Sequence, residues 1–320
     1  MSWIPKVSGL VPVLCFLFAL AACGGNADGQ ATGPAAADAD GSIWVLSRAD
    51  RSITIIDARQ AAAVGRINLG FASDPGVMVY RDGTVWVGSS GGLVQRVDAS
   101  TRTLIDSVEL PMDVWWLSAA AHGVYAMDAE LGLVTRHDLR TGEVLATYDP
   151  PDRIHAMAAG PETVAVHTGD RREVHFYAPG ATESRVVTAE IGGGDMVLGF
   201  GSFWIYHPDG RLLRVDPDSA AIAAEIDMDA DLYFPAIAIS DDAVWLTLVD
   251  TDELIRVDPA ANQIVARIPV RGSPEAVAVH GDAAWVALPQ DDTVVRIDAE
   301  SGAETARVSV EWPVRVVAVP

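Results

Sequence analysis

The sequence has almost no lysine: Lys6 is the only one, and arginine supplies every other basic side chain in a total of 22, set against 44 Asp and Glu for a formal charge of -22. Such a surface repels phosphate backbones and anionic headgroups, which excludes nucleic acid and a polybasic membrane contact as partners. Charged partners are expected to be cations or basic proteins, and the same charge keeps the domain soluble and monomeric. Cysteine is nearly as scarce, with Cys15 and Cys23 alone, both close to the amino terminus. The rest of the chain therefore has no disulfide, no thiol nucleophile and no cysteine metal site, and its stability has to come from burial. Catalytic signatures are missing too: there is no Gly-x-Ser-x-Gly, no His-Glu-x-x-His and no phosphate-binding loop. Nothing in the chain asks for a cofactor.

The first residues form a targeting segment rather than part of the fold. Lys6 is followed by an apolar run over residues 7–22, too short for a comfortable membrane span. The run ends Leu20-Ala21-Ala22-Cys23, which resembles a bacterial lipobox. That resemblance implies a signal peptide over residues 1–22, cleavage before Cys23, and lipid on its sulfur and on the new amino terminus. Two or three acyl chains anchor stably where one alone is marginal. Gly24 rather than Asp follows the cysteine, which in a two-membrane bacterium implies the outer membrane. Residues 24–40 are Gly, Ala, Asp, Asn and Pro without apolar period, a linker between the lipidated Cys23 and a domain over residues 41–320.

That domain repeats. Ala243-Val-Trp-Leu-Thr-Leu and Leu254-Ile-Arg-Val-Asp-Pro are followed by Ala284-Trp-Val-Ala-Leu and Val294-Val-Arg-Ile-Asp, pairs of alternating runs joined by acidic turns. A period of two with a turn between is a hairpin. Trp44, Trp86, Tyr125, Ala165, Trp204, Trp245 and Trp285 mark one strand of seven copies, at spacings of 42, 39, 40, 39, 41 and 40 residues. Asp57, Asp98, Asp138, Ala178, Asp216, Asp258 and Asp298 mark the end of the next strand, at spacings of 41, 40, 40, 38, 42 and 40. A period near 40 that holds four short strands predicts an all-β, seven-bladed propeller with four antiparallel strands per blade.

The two ends complete one blade. Order begins at Gly41 directly with an aromatic-bearing second strand, and the chain finishes on Val314-Arg-Val-Val-Ala-Val-Pro320, an inner strand with nothing after it. Residues 315–319 are therefore expected to pair with residues 42–47 and close the ring. Asp98, Asp138, Asp216, Asp258 and Asp298 open the turns between third and fourth strands, where their carboxylates can accept backbone N–H groups. The repeated Trp is expected to pack between sheets. Both are structural roles.

At these residues the chain resembles the extracytoplasmic YVTN-type and virginiamycin B lyase-like propellers, whose repeat runs inner strand, Gly turn, Leu/Val-Trp-Val, polar loop and Val-x-Arg-Ile-Asp. The resemblance spans residues 41–320, strongest in the second, sixth and seventh copies and weakest in the fourth. It implies a fold and leaves the activity open, because function on propellers is grafted onto faces and axis. A lyase site would imply a metal held by a Glu with a His two residues on, but Val277 stands two after Glu275, and Arg153 and Met157 flank His155 at that spacing. Related lactonases imply a carboxylate and basic groups around the substrate, and His155, Glu275 and Arg315 together would serve as a general base and an anion anchor. A pyrroloquinoline-quinone enzyme would imply eight blades and a vicinal disulfide. A lipoprotein of the outer-membrane assembly type is similar in anchor and general shape but not in blade count.

Aligned at the start of the inner strand, the copies put Gly76, Trp116, His155, Asp195, Pro235, Glu275 and Arg315 at one level of the channel. A polar ring is expected there, with Glu275 and Arg315 close enough to pair. Apolar groups in loops of the same face, Trp115, Tyr233, Phe234 and Trp312, either cap the core or form a contact patch. The acidic stretches 227–231 and 250–253 lack the Gly and distal Glu of a calcium loop and are expected as solvated turns. The favoured function is a lipid-anchored, non-catalytic binding or scaffolding module. Its surface for an unknown protein or small ligand would comprise Trp115, Trp116, Arg153, His155, Asp195, Tyr233, Phe234, Glu275, Trp312 and Arg315. The alternative is a lyase- or lactonase-like enzyme working at the channel mouth, and no metal site is expected.

Overall fold

A strand that is apolar on both sides is stable only between two other layers, and the second strand of each repeat meets that condition. Ser42–Ser47, Gly123–Asp128 and Ala283–Leu288 are buried at every position. The outer strands instead alternate, as in Glu304–Ser309, where Val308 and its neighbours dip in and out of the core. The computed structural model describes residues 41–169, 173–188, 196–207, 209–230 and 235–320, with only the backbone of Val187 and Thr188. In them, seven four-stranded antiparallel sheets form the blades of a propeller.

Blade 1 is made from both ends of the domain: Pro313–Val319 is its inner strand, followed outward by Ser42–Ser47, Ser52–Asp57 and Ala62–Asn68. Ser42 lies opposite Val319, Trp44 opposite Val317 and Leu46 opposite Arg315, so the expected closure is present. Blades 2 to 7 each use four consecutive strands. Their inner strands are Pro75–Arg81, Trp116–Ala120, Ile154–Ala159, Met196–Gly199, Ile237–Ile239 and Ala276–His280. One face, the mouth face, carries the loops that enter the inner strands and those between second and third strands. The opposite face carries the tight turns from first to second and from third to fourth strands, and is called the turn face.

The turn face repeats its chemistry blade by blade. Asp98 accepts the N–H groups of Ser100 and Thr101 at 2.9 and 2.7 Å, and Asp57, Asp138, Asp216 and Asp258 each accept two in the same way. Asp298 accepts the Ser301 hydroxyl and N–H at 2.6 and 2.8 Å. Donors aimed at a carboxylate favour its charged form. Turn N–H groups accordingly hold Asp98, Asp138 and Asp216 below the ordinary aspartate range, and at Asp298 the Ser301 hydroxyl leads.

The repeated indoles are the core between blades, and four of the five meet an arginine that the Arg-x-Asp ending supplies, Trp44 lying opposite Ile55 instead. Trp86, Trp204, Trp245 and Trp285 lie directly opposite Arg96, Arg214, Arg256 and Arg296 on the neighbouring strand. Guanidinium carbons sit 5.3 Å over Trp86 and Trp204 and 5.6 Å over Trp245, within cation–π range. Two of these arginines then reach the next blade, Arg96 donating to the Arg140 carbonyl at 2.5 Å and Arg214 to the Pro259 carbonyl at 2.6 Å. Blade 4 departs from the pattern. Ala165 stands opposite Phe176, so the aromatic has moved across to the third strand and meets Phe203 of blade 5 at a centroid distance of 5.5 Å.

Candidate functional site

Seven inner strands around one axis enclose a cavity of about 320 Å³. Most of the side chains that line it are aliphatic, Val77, Leu117, Met157, Met196 and Ile237 among them, as a narrow axis requires, but Tyr80, Ser118 and Arg315 also line it and its exposed lining is at least as polar as it is apolar. Arg315 is the one charged side chain that lines it among the described residues. The polar ring expected from the alignment is therefore reduced: of the aligned residues, Trp116 and Arg315 line the cavity, His155 and Glu275 are exposed, and Pro235 is buried. Asp195 lies outside the described residues, as do Cys23, Tyr233 and Phe234.

The expected pairing of Glu275 with Arg315 is not what the structure contains. The Arg315 guanidinium lies 5.2 Å from the ring centre of Trp116 instead, although one residue belongs to blade 1 and the other to blade 3. It spans the entrance of blade 2, where Gly76 has no side chain to obstruct it. A Cβ built on Gly76 would have just one heavy-atom neighbour, Nη2 of Arg48 at 4.0 Å. Glu275 meanwhile is fixed only through its backbone, its N–H donating to the Ala287 carbonyl at 3.1 Å, and its carboxylate is directed to solvent.

His155 sits at a bulge: Ile154 pairs with Thr168 and Ala156 with His167, leaving His155 out of the ladder. Its imidazole lies over Gly169, where a Cβ would come within 2.1 Å of Cε1, so any larger residue there would displace the ring. The ring meets the buried His167 edge-on at 5.9 Å. This histidine pair was not apparent from the sequence, because the bulge shifts the register that would have aligned them. Arg153, exposed next to it, accepts the Gly169 N–H through its carbonyl at 2.9 Å. Among the described residues no group of three His, Cys, Asp or Glu side chains is placed to hold a metal ion.

Trp115 and Trp312 are 48% and 51% exposed, and Leu131, in the loop between second and third strands of blade 3, is 63% exposed. All three lie in mouth-face loops. Every other exposed large hydrophobic, such as Val64, Leu104 or Val265, sits on an outermost strand. The backbone that carries each indole is hydrogen-bonded. The Trp115 N–H donates to the Met127 carbonyl at 2.9 Å, while Trp312 keeps a left-handed φ of 40° with its N–H on Asp292 Oδ1 at 2.9 Å and its carbonyl accepting from Arg48 N at 3.1 Å. Of the stretch before the third inner strand, Val114 does cap the core, and Trp115 does not.

The acidic turn at 250–253 is used internally: Asp252 Oδ1 accepts the N–H groups of Gly272 and Ser273 at 3.2 and 2.9 Å, and Glu253 pairs with Arg267 at 3.0 Å. A second, larger cavity of about 730 Å³ opens on the turn face between blades 6 and 7 and was not foreseen. Its charged lining includes Asp241 and Glu300 beside residues of the repeat's own ion pairs, Asp242 with Arg256 at 2.5 Å and Asp282, which pairs with Arg296 at 2.9 Å. Because these pairs recur for structural reasons, the smaller cavity on the axis is the better candidate despite its size.

No family model matches the chain, and no curated protein sequence matches it. Solved structures do. AztD from Citrobacter koseri is 13% identical, with a TM-score of 0.67 over 87% of this chain and 97% of that one. A streptogramin B lyase is 14% identical, with a TM-score of 0.67 over 78% of this chain and 89% of that one. The dihydro-heme d1 dehydrogenase NirN, in complex with DHE, is 15% identical, with a TM-score of 0.64 over 87% of this chain and 75% of that one. At these identities the likeness is one of fold, and the resemblance read from the repeat is met at that level.

Proposed function

We propose that the protein is a non-catalytic binding module whose contact surface is the mouth face. The observation that carries this reading is the sorting of exposed apolar side chains: in loops they occur on this face alone among the described residues, as Trp115, Leu131 and Trp312. Aromatic side chains left uncovered on a hydrogen-bonded backbone are what contact surfaces are built from. The competing enzyme reading needs a base, a carboxylate and an anion anchor together. His155, Glu275 and Arg315 are joined by no hydrogen bond or ion pair; His155 leans on Gly169 and Arg315 on Trp116. Similar folds include a streptogramin B lyase and NirN, a dehydrogenase, so the fold itself favours neither reading.

The module is placed outside the cytoplasm, anchored by lipid at Cys23, and in the outer membrane where the cell has two. What supports this is the apolar run ending in Leu20-Ala21-Ala22-Cys23. Photo-cross-linking in the producing cell tests the surface. A cross-linker at Trp115 or Trp312 is expected to trap discrete adducts and one at Glu300, on the turn face, to trap none. Equal yields at all three positions, or none at any, would overturn the assignment.

A further inference from the structure

We propose that the channel mouth binds a slim organic acid, with its carboxylate on the Arg315 guanidinium and its apolar body in the axial cavity. The proposal rests on the mouth face being the binding face and names a ligand class for it. The first ground is a charge without a carboxylate partner among the described residues. Several arginines find carboxylates at short range, Arg211 with Asp209 at 2.7 Å, Arg267 with Glu253 at 3.0 Å and Arg307 with Glu304 at 3.0 Å, and others, such as Arg214, donate to backbone carbonyls of the next blade. Arg315 has no carboxylate partner among the described residues, and its side chain makes one long hydrogen bond, 3.5 Å to the Val314 carbonyl. Most of its five donors are therefore open.

The second ground is placement. The guanidinium lies over the Trp116 ring, 5.2 Å from its centre, and a guanidinium so placed can still offer two N–H groups to both oxygens of a carboxylate. Gly76 keeps the approach clear, and Arg48, exposed and also without a carboxylate partner among the described residues, adds a second positive charge beside it. The third ground is what lies below. Aliphatic side chains from several blades offer contacts to an apolar body, and Arg315 is the one charged residue among the described lining, so a second charge would find no partner there. At about 320 Å³ the space is at the small end of ligand pockets, which run from about 300 to 1,000 Å³, so it fits a medium-chain acid better than a macrocycle or a peptide. The overall negative charge points to cationic partners; this mouth is a local exception, and a monoanion suffers least from the surrounding field.

Calorimetric titration with octanoate and its neutral counterpart octanamide tests the proposal. Octanoate is expected to bind at least tenfold tighter than octanamide and to weaken as salt is added. Arg315→Gln should abolish the preference, and Arg315→Lys should keep part of it. Gly76→Leu adds bulk where the backbone is unstrained, and should block both ligands while the melting temperature stays the same. Equal binding of acid and amide, a preference that survives Arg315→Gln, or no binding of octanoate at millimolar concentration would each overturn the proposal. Cross-links retained at Trp115 and Trp312 while octanoate fails would sink the acid site alone; octanoate bound without cross-links would sink the wider contact surface.

Discussion

On the turn face, six blades present the same device, an aspartate folded back on its own turn. On the mouth face, the corresponding positions are Gly76, Trp116, His155, Pro235, Glu275 and Arg315, no two alike. The same strands run between both faces, so backbone geometry cannot account for the difference. Residues that recur answer a demand made in every blade, chiefly to close a turn or fill the space between sheets. Residues that do not recur answer a demand made once. Arginine shows the contrast within one residue type: Arg96 and Arg214 stack on repeat indoles and bind neighbouring carbonyls, whereas Arg315 stacks on Trp116 and keeps its donors open.

The largest expected effect tests whether the ring itself is indifferent to the face. Removing residues 313–320 takes away the inner strand of blade 1 and exposes the edge of Ser42–Ser47. The truncated protein is expected to unfold or aggregate, and an unchanged melting temperature by calorimetry would refute the closure. Next comes a comparison of two indoles. Trp204→Ala should cost about 3–5 kcal/mol, as for a large buried aromatic. Trp115→Ala should stay within about 0.5 kcal/mol, since it removes an exposed side chain. Similar losses in urea titrations of the two variants would erase the distinction between repeat and exception.

The smallest effect concerns the aspartate turns. A carboxylate whose folded pKa is depressed contributes stability that is present above its unfolded pKa, near 3.8, and lost as pH falls through the lower folded value. The buried His137 acts at a higher pH. Burial lowers its pKa from 6.5, so its neutral form is favoured in the fold and stability declines as pH drops below that value. Asp216→Asn with Asp298→Asn keeps an oxygen in each turn and removes the charge. The double variant should lose a little stability at pH 7 and show a shallower acid limb below pH 4. An acid limb as steep as that of the parent would mean that these turns are not charge-assisted.

Fold and site were legible to different degrees for a physical reason. Each blade needs an aromatic between sheets and a closed turn, so Trp245 and Asp258 announce themselves by spacing, and the unpaired runs at either end announce the closure. Blade 4 was faint because its aromatic, Phe176, sits on the strand beside the expected one, which meets the same packing need at a different position. At the mouth, alignment found the right level but not the partners. Arg315 of blade 1 reaches Trp116 of blade 3, and side-chain reach across a blade is not encoded in spacing. His155 and His167 were missed because a bulge displaces one of them. The Arg-x-Asp ending carried the signal for the arginine–indole stacks, which becomes readable once the cross-strand register is known.

The closure of blade 1 also decides which way the molecule can be held. Gly41 lies against the Val319 carbonyl and the His280 imidazole, so both ends of the propeller leave from the turn face. Whatever is joined to either end, whether an affinity tag, a fused domain or an immobilising surface, becomes a handle on that side and leaves the mouth unobstructed.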